Sequence, residues 1–187
     1  FSYCPKLESI VIPDGVTTIK AGTFAGCTSL AKAVIPEGVT SIEGGAFQNC
    51  ASLTGITLPR SVKTLDWDVF SGCSSLERIV IPEGVSRLET NLFWGCTSLT
   101  EVTIPASVTF IDDHVFAECT ALTTIYYGGT EEQWEQIEID FWGNECLRTA
   151  KIILTDEKSL AAPTVKASNI TSTGKIKVSW SKVDGAE

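Results

Sequence analysis

The sequence predicts a right-handed solenoid in which each coil adds one short strand to a parallel β-sheet. Three observations carry this reading. Four residue types share one 23-residue period, apolar residues alternate inside each period, and the period is too short to bury its own apolar set. Cysteines fall at Cys4, Cys27, Cys50, Cys73, Cys96 and Cys119, a constant step of 23. Pro13, Pro36, Pro59, Pro82 and Pro105 keep that step, and so do Phe1, Phe24, Phe47, Phe70, Phe93 and Phe116. Leu7, Leu30, Leu53, Leu76, Leu99 and Leu122 complete the pattern. Because one unit cannot close a core alone, each coil must stack on its neighbours and share a continuous interior.

In chain order, one unit reads F-x-x-C-x-x-L-x-x-I-x-I-P-x-x-V-x-x-I-x-x-x-x. Its I-x-I step alternates as a strand requires, predicting six strands, from 7–12 through 122–127, aligned in a single parallel sheet. A seventh is expected at 151–155. At about 4.8 Å per strand the stack is roughly 30 Å long. The proline after each strand lacks an N–H and ends the ladder, and the V-x-x-I segment, such as Val16 to Ile19, carries the chain down the other side. Beyond 1–128, residues 129–155 suit a C-terminal helical cap. Thr130, Glu131, Glu132 and Gln133 match a capping box before a short helix that presents Trp134 and Ile137 on one face. A second short helix is expected from Asn144 with Leu147 inward, since a terminal repeat must cover the last coil. Residues 156–162 read as a linker around Ala161 and Ala162, ahead of Pro163.

These residues carry a resemblance. The unit resembles the BspA-like class of bacterial leucine-rich repeats over residues 1 to about 155, so the resemblance implies a leucine-rich-repeat solenoid. It also implies a bacterial surface or secreted protein of a class often implicated in adhesion. The stretches IYYGGTEEQWEQI and GNECLRTAKIIL are similar to the way such arrays close. Residues 163–187 resemble the first two strands of a fibronectin type III domain through Pro163, Val165, Gly174, Ile176, Val178, Trp180 and Gly185. So few residues cannot close a seven-stranded sandwich, and Phe1 falls inside a repeat, so a larger multidomain parent protein is expected.

Composition bounds the partners. The chain of 187 residues is 43% hydrophobic, enough to build a core. A net charge of −9 and a pI near 4.6 argue against nucleic acid and anionic membrane, which attract stripes of Lys and Arg. The longest apolar runs fall far short of the roughly 20 residues a membrane helix needs. An extracellular, secreted or cell-surface location is what the resemblance implies.

No catalytic constellation can be assembled. Motifs such as H-E-x-x-H, G-x-S-x-G, a P-loop or a dinucleotide fingerprint are missing from the sequence. His114 is the single histidine and reads as a solvent-facing turn residue. Asp112 and Asp113 are adjacent on a turn and offer no cleft for acid and base roles. Equal spacing puts the repeat cysteines in one column about 4.8 Å apart, slightly too far for disulfides, so they are expected as buried free thiols. Cys146 breaks the period and is read as packing. No metal or cofactor is expected, although the column Lys20, Glu43, Asp66, Glu89 and Asp112, with Asp68 and Asp113 beside it, is either a hydrated edge or a weak calcium site.

Two surfaces could carry binding. Val11, Val34, Thr57, Val80, Thr103 and Tyr126 should line the concave sheet, flanked by Lys32, Arg78 and Glu101. Such a row is unusually apolar for an exposed position, although small β-branched residues also simply suit a sheet. On the turn before each Phe, Trp67, Trp94 and Phe110 replace smaller residues. If that turn is helical, Trp67 and Trp94 form one patch; alternatively they fold over the coil edge as an extension of the core. The expected function is a noncatalytic surface or secreted module that binds a host or neighbouring-cell protein or glycan. The alternative is a spacer that displays other domains.

Overall fold

The computed structural model describes residues 1–155, 166–168 and 177–179. The coils form β1 (Ser9–Val11), β2 (Thr18–Ile19), β3 (Lys32–Val34), β4 (Ser41–Ile42), β5 (Thr64–Leu65), β6 (Arg78–Val80), β7 (Arg87–Leu88), β8 (Glu101–Ile104), β9 (Phe110–Ile111), β10 (Thr124–Tyr127), β11 (Glu138–Ile139) and β12 (Lys151–Leu154). All pairings among these strands are parallel, with partners 23 residues apart within the repeats, as in Ile10 with Ala33 and Ile79 with Val102. The result is a parallel β-solenoid of about six turns with two strand walls and one turn wall. Separately, β13 (Lys166–Ser168) and β14 (Lys177–Ser179) pair antiparallel; the rest of the expected fibronectin-like segment lies outside the described residues.

The expected single sheet is in fact divided. On the first wall β1 pairs with β3, and β6, β8, β10 and β12 form a four-stranded sheet, with no strand at 54–58 between them. Among the described residues, the only backbone hydrogen bond made by 54–58 runs from the Glu77 N–H to the Thr54 carbonyl, at 3.2 Å. Gly55 explains the gap, because it stands where other coils place Ser9, Lys32, Arg78, Glu101 and Thr124. Glycine weakens a strand through its backbone entropy and its lack of a packing side chain. The second wall is divided one step later, into β2-β4-β5 and β7-β9-β11. There Lys63 replaces the column of Thr17, Thr40, Ser86 and Thr109. Thr40 and Thr109 donate their hydroxyls to the carbonyl one coil back, whereas Lys63 sends its ammonium to the Glu83 carbonyl at 2.9 Å. The third and fourth coils are therefore joined mainly through the turn wall, where Asn49 donates to the Ser71 carbonyl and Asp68 to that of Thr90.

The core is a set of columns. Phe1, Phe24, Phe47, Phe70, Phe93 and Phe116 stack with centroids 5.2 to 5.8 Å apart and nearly parallel rings. Beside them Cys27, Cys50, Cys73, Cys96 and Cys119 are buried, and all seven cysteines are free. Each of these thiols donates to the carbonyl of the Phe 26 residues earlier, for example Cys73 to Phe47 at 3.2 Å. Cys146 extends the column rather than leaving it, with Sγ 3.8 Å from the Phe116 carbonyl.

The turn before each Phe is a run of tight turns and not a helix. Two positions per coil hold a left-handed backbone, one two residues before the Phe, as in His114 at φ 56°, and one two residues after it, as in Gly72 at φ 72°. Farther along, α1 (Glu131–Glu135) carries a complete capping box. The Thr130 hydroxyl accepts from the Gln133 N–H, and the Gln133 side chain accepts from the Thr130 N–H at 2.9 Å. Trp134 meets Tyr127 edge to face at 5.2 Å, and Ile137 is buried just past the helix. Asn144 precedes a 3-10 turn at Glu145–Arg148 but does not cap it with its side chain. Instead its fully buried amide donates to the Asp112 and Asp140 carbonyls and accepts from the Phe116 N–H at 2.9 Å, riveting this segment to the last coils.

Candidate binding surfaces

The first wall presents the anticipated outward row. Val11 is 69% exposed, Val34 41% and Val80 61%, while their neighbours Ile12, Ala33, Ile79 and Ile81 are buried. Thr57 is also exposed, and Thr103 and Tyr126 are half-buried. Strand pleating produces this alternation, since successive side chains point to opposite faces. The row is not uniform. A groove of about 890 Å³ opens where the wall loses its ladder, bordered by Thr57, Val80, Thr103, Arg60, Lys63 and Glu83. A smaller one of about 520 Å³ runs past Lys32, Val34, Gly55, Thr57, Arg78 and Val80. Val11 and Tyr126 border neither groove, and Glu101 flanks the row at half burial.

Arg60 and Lys63 escaped the reading of the sequence. Arg60 occupies a column that holds Asp14, Glu37 and Glu83 in other coils. These departures put two exposed cations beside the first-wall groove of a chain whose net charge is −9. Inspecting each column for its odd member would have found them.

The acidic column is already bridged by cations. Lys20 pairs with Glu43 at 2.8 Å, and that hydrogen bond, aided by the Ala21 N–H, holds the Glu43 carboxyl below its ordinary range. Arg87 bridges Asp112 at 2.6 Å and Glu89 at 3.1 Å while lying 3.9 Å above the Phe110 ring. Asp66 accepts from the Trp67 N–H. Burial raises the Asp68 carboxyl, whereas the Thr90 hydroxyl followed by His114 lowers that of Asp113. Mutual repulsion was what motivated calcium, and these contacts relieve it. Among the described residues no three of His, Cys, Asp and Glu are grouped to hold a metal ion.

One aromatic placement differs from expectation. Phe110 is on strand β9 of the second wall, under Arg87, and not on the turn before Phe116, because the second-wall strand reaches back to that position. Trp67 and Trp94 do not occupy equivalent positions. Trp67 covers Gly44 one coil back, where any Cβ would meet the indole at 2.6 Å. Trp94 instead borders a groove with His114 and Trp142. The turn is not helical, and Trp67 folds over the edge of the neighbouring coil. His114 is half-buried and not simply solvent-facing. Its Nδ1 lies 3.0 Å from Asp113 Oδ2, its ring tilts against Trp142 at 6.1 Å, and its N–H donates to the Trp142 carbonyl.

The nucleophile chemistry of Cys50, Cys73, Cys96 and Cys119 is suppressed. Burial first, and the neighbouring thiol second, push Cys50 up to about 12 and also raise Cys73, Cys96 and Cys119. Protonated, carbonyl-bonded thiols are neither nucleophiles nor metal ligands at neutral pH.

Stacked columns, shared walls and grooves on the outside of a parallel solenoid define a leucine-rich-repeat protein. The chain belongs to the BspA type leucine rich repeat family, which matches residues 1–123 in six copies. It is similar to the crystal structure of a leucine rich cell surface protein from Faecalibacterium prausnitzii, with 41% identity and a TM-score of 0.69, covering 71% of this chain and 35% of that one. The T. pallidum leucine rich repeat protein TpLRR is 34% identical with a TM-score of 0.64, covering 68% and 63% respectively. A leucine-rich repeat protein from Eubacterium ventriosum is 27% identical with a TM-score of 0.59, covering 63% and 32%. The chain thus spans about a third of the length of the first and third and less than two thirds of the second. No curated protein matches it. Among the described residues, no helix is long and apolar enough to cross a membrane.

Proposed function

We propose that the chain is a noncatalytic recognition module of a surface or secreted bacterial protein, and that it binds a protein or glycan partner across the first wall. The observation that carries this is the exposed apolar row of Val11, Val34 and Val80, of which Val80 borders the groove of Arg60 and Lys63. Rigid solenoids present extended surfaces of this kind, and exposed apolar positions framed by charge suit an interface. Similarity to a cell surface protein supports the location. In this reading residues 129–155 cap the array, 156–162 link it onward, and 163–187 begin a fibronectin type III-like domain.

The test is a binding screen of the chain against extracellular-matrix proteins and glycans, run beside Val80→Asp and an Arg60→Glu, Lys63→Glu double variant. Saturable binding that these variants abolish, with the melting temperature kept, is the expected result. Binding that survives them moves the site off this wall. A complete lack of binding favours a spacer that holds other domains apart, the reading suggested by the paired β13 and β14 beyond the array.

A further inference from the structure

A second groove lies at the C-terminal end of the turn wall, away from the first-wall row. It measures about 430 Å³ and is bordered by Trp94, His114, Glu118, Trp142 and Glu145 over the last rungs of the Phe and Cys columns. Trp94 is 45% and Trp142 74% exposed. No Lys or Arg lines the groove.

The same chain shows what such a set of groups accepts. Arg87 stands 3.9 Å over Phe110 while pairing with Asp112 and Glu89, so one guanidinium satisfies an aromatic face and two carboxylates together. Arg148 also covers a ring, that of Phe141, at 4.6 Å. The groove repeats the chemistry with larger rings and two carboxylates, Glu118 and Glu145, but among the described residues no cation of the chain stands over Trp94 or Trp142. Tryptophan offers the strongest face to a cation, and a carboxylate beside it adds a charge-assisted hydrogen bond.

Backbone conformation marks the place as well. His114 and Glu118 hold φ of 56° and 59°. Their columns carry Gly22, Gly45, Asp68 and Asn91 in one case, and Gly26, Asn49, Gly72 and Gly95 with Tyr3 in the other. Replacing glycine or asparagine by Glu at a left-handed position costs conformational energy, a kind of strain that collects at ligand sites.

We propose that this groove receives an arginine side chain of a protein partner, the guanidinium lying between the Trp94 and Trp142 indoles and paired with Glu118 and Glu145. Its acidic lining matches a cation, which favours a basic peptide over a neutral sugar.

Titrating the chain with the blocked amino acid acetyl-arginine amide, and following the indole N–H signals by NMR, tests this. Trp94→Phe and Trp142→Phe assign the signals. The Trp94 and Trp142 signals are expected to shift saturably while that of Trp67 stays fixed. Trp142→Ala, exposed enough to leave the fold intact, should weaken the probe by about three- to fivefold. A Glu118→Gln, Glu145→Gln double variant should weaken it as well and remove its salt dependence. Shifts produced by a neutral oligosaccharide but not by the arginine probe would overturn the proposal, as would equal shifts at every indole or none. Each outcome is independent of the first-wall screen.

Discussion

At the scale of single residues, identical spacing gives identical surroundings, and the thiols illustrate the consequence. Cys50, Cys73, Cys96 and Cys119 are stacked, buried and bonded to phenylalanine carbonyls. Their pKa values are raised from an ordinary 9.0, so the unfolded chain loses these protons at lower pH than the folded one. Stability is then fully present below about pH 9 and falls as pH rises toward 12 and beyond. Chemical denaturation at pH 7, 9 and 10.5 should show a flat response followed by a fall. Thiol reagents at pH 8 should leave Cys50, Cys73, Cys96 and Cys119 unmodified until denaturant is added. Asn144 is the counterpart among polar groups. Asn144→Ala removes one acceptor and two donations at a fully buried site, and we expect a loss of about 1–3 kcal/mol by urea denaturation. A neutral result would mean that water replaces the amide.

Elements depend on how each coil departs from the consensus. Gly55 leaves 54–58 without a strand, and a Cβ built there meets nothing within 4 Å. Gly55→Thr is therefore expected to stabilise the protein by about 0.4–1 kcal/mol and to extend the ladder across the third coil. Hydrogen exchange reports the same defect directly. The amides of 54–58 should exchange much faster than those of β8 and β10, which are paired on both sides. Equal protection would show that the wall is continuous in solution. Capping of α1 was legible because a capping box is a local pattern. The side-chain role of Asn144 was not, because two of its three partners, Asp112 and Phe116, are brought near only by coiling.

For the whole molecule, stability is a sum over stacked neighbours, so a core defect in one coil affects both adjacent ones. Leu76 is fully buried in the fourth coil, next to the divided walls. Leu76→Ala should cost about 2–5 kcal/mol through the cavity it leaves. Thermal unfolding followed by circular dichroism measures the loss, and a neutral outcome would contradict the strand phase. Function at this scale is a matter of surfaces. The first wall joins an apolar row to two cations, and the turn wall ends in an aromatic, acidic groove.

Period alone determined the solenoid, the core columns and the outward row, because a residue repeated every 23 positions must recur in one environment when coils stack. Reduced cysteines came from the same spacing. What only the tertiary structure decided were the exceptions to the period: the divided walls, Lys63 reaching Glu83, Arg87 over Phe110, and Trp94 sharing a groove with Trp142. Each depends on contacts between side chains from different coils or from the C-terminal segment. Such contacts depend on the three-dimensional path of the backbone and the rotamers packed along it, which a linear repeat does not specify.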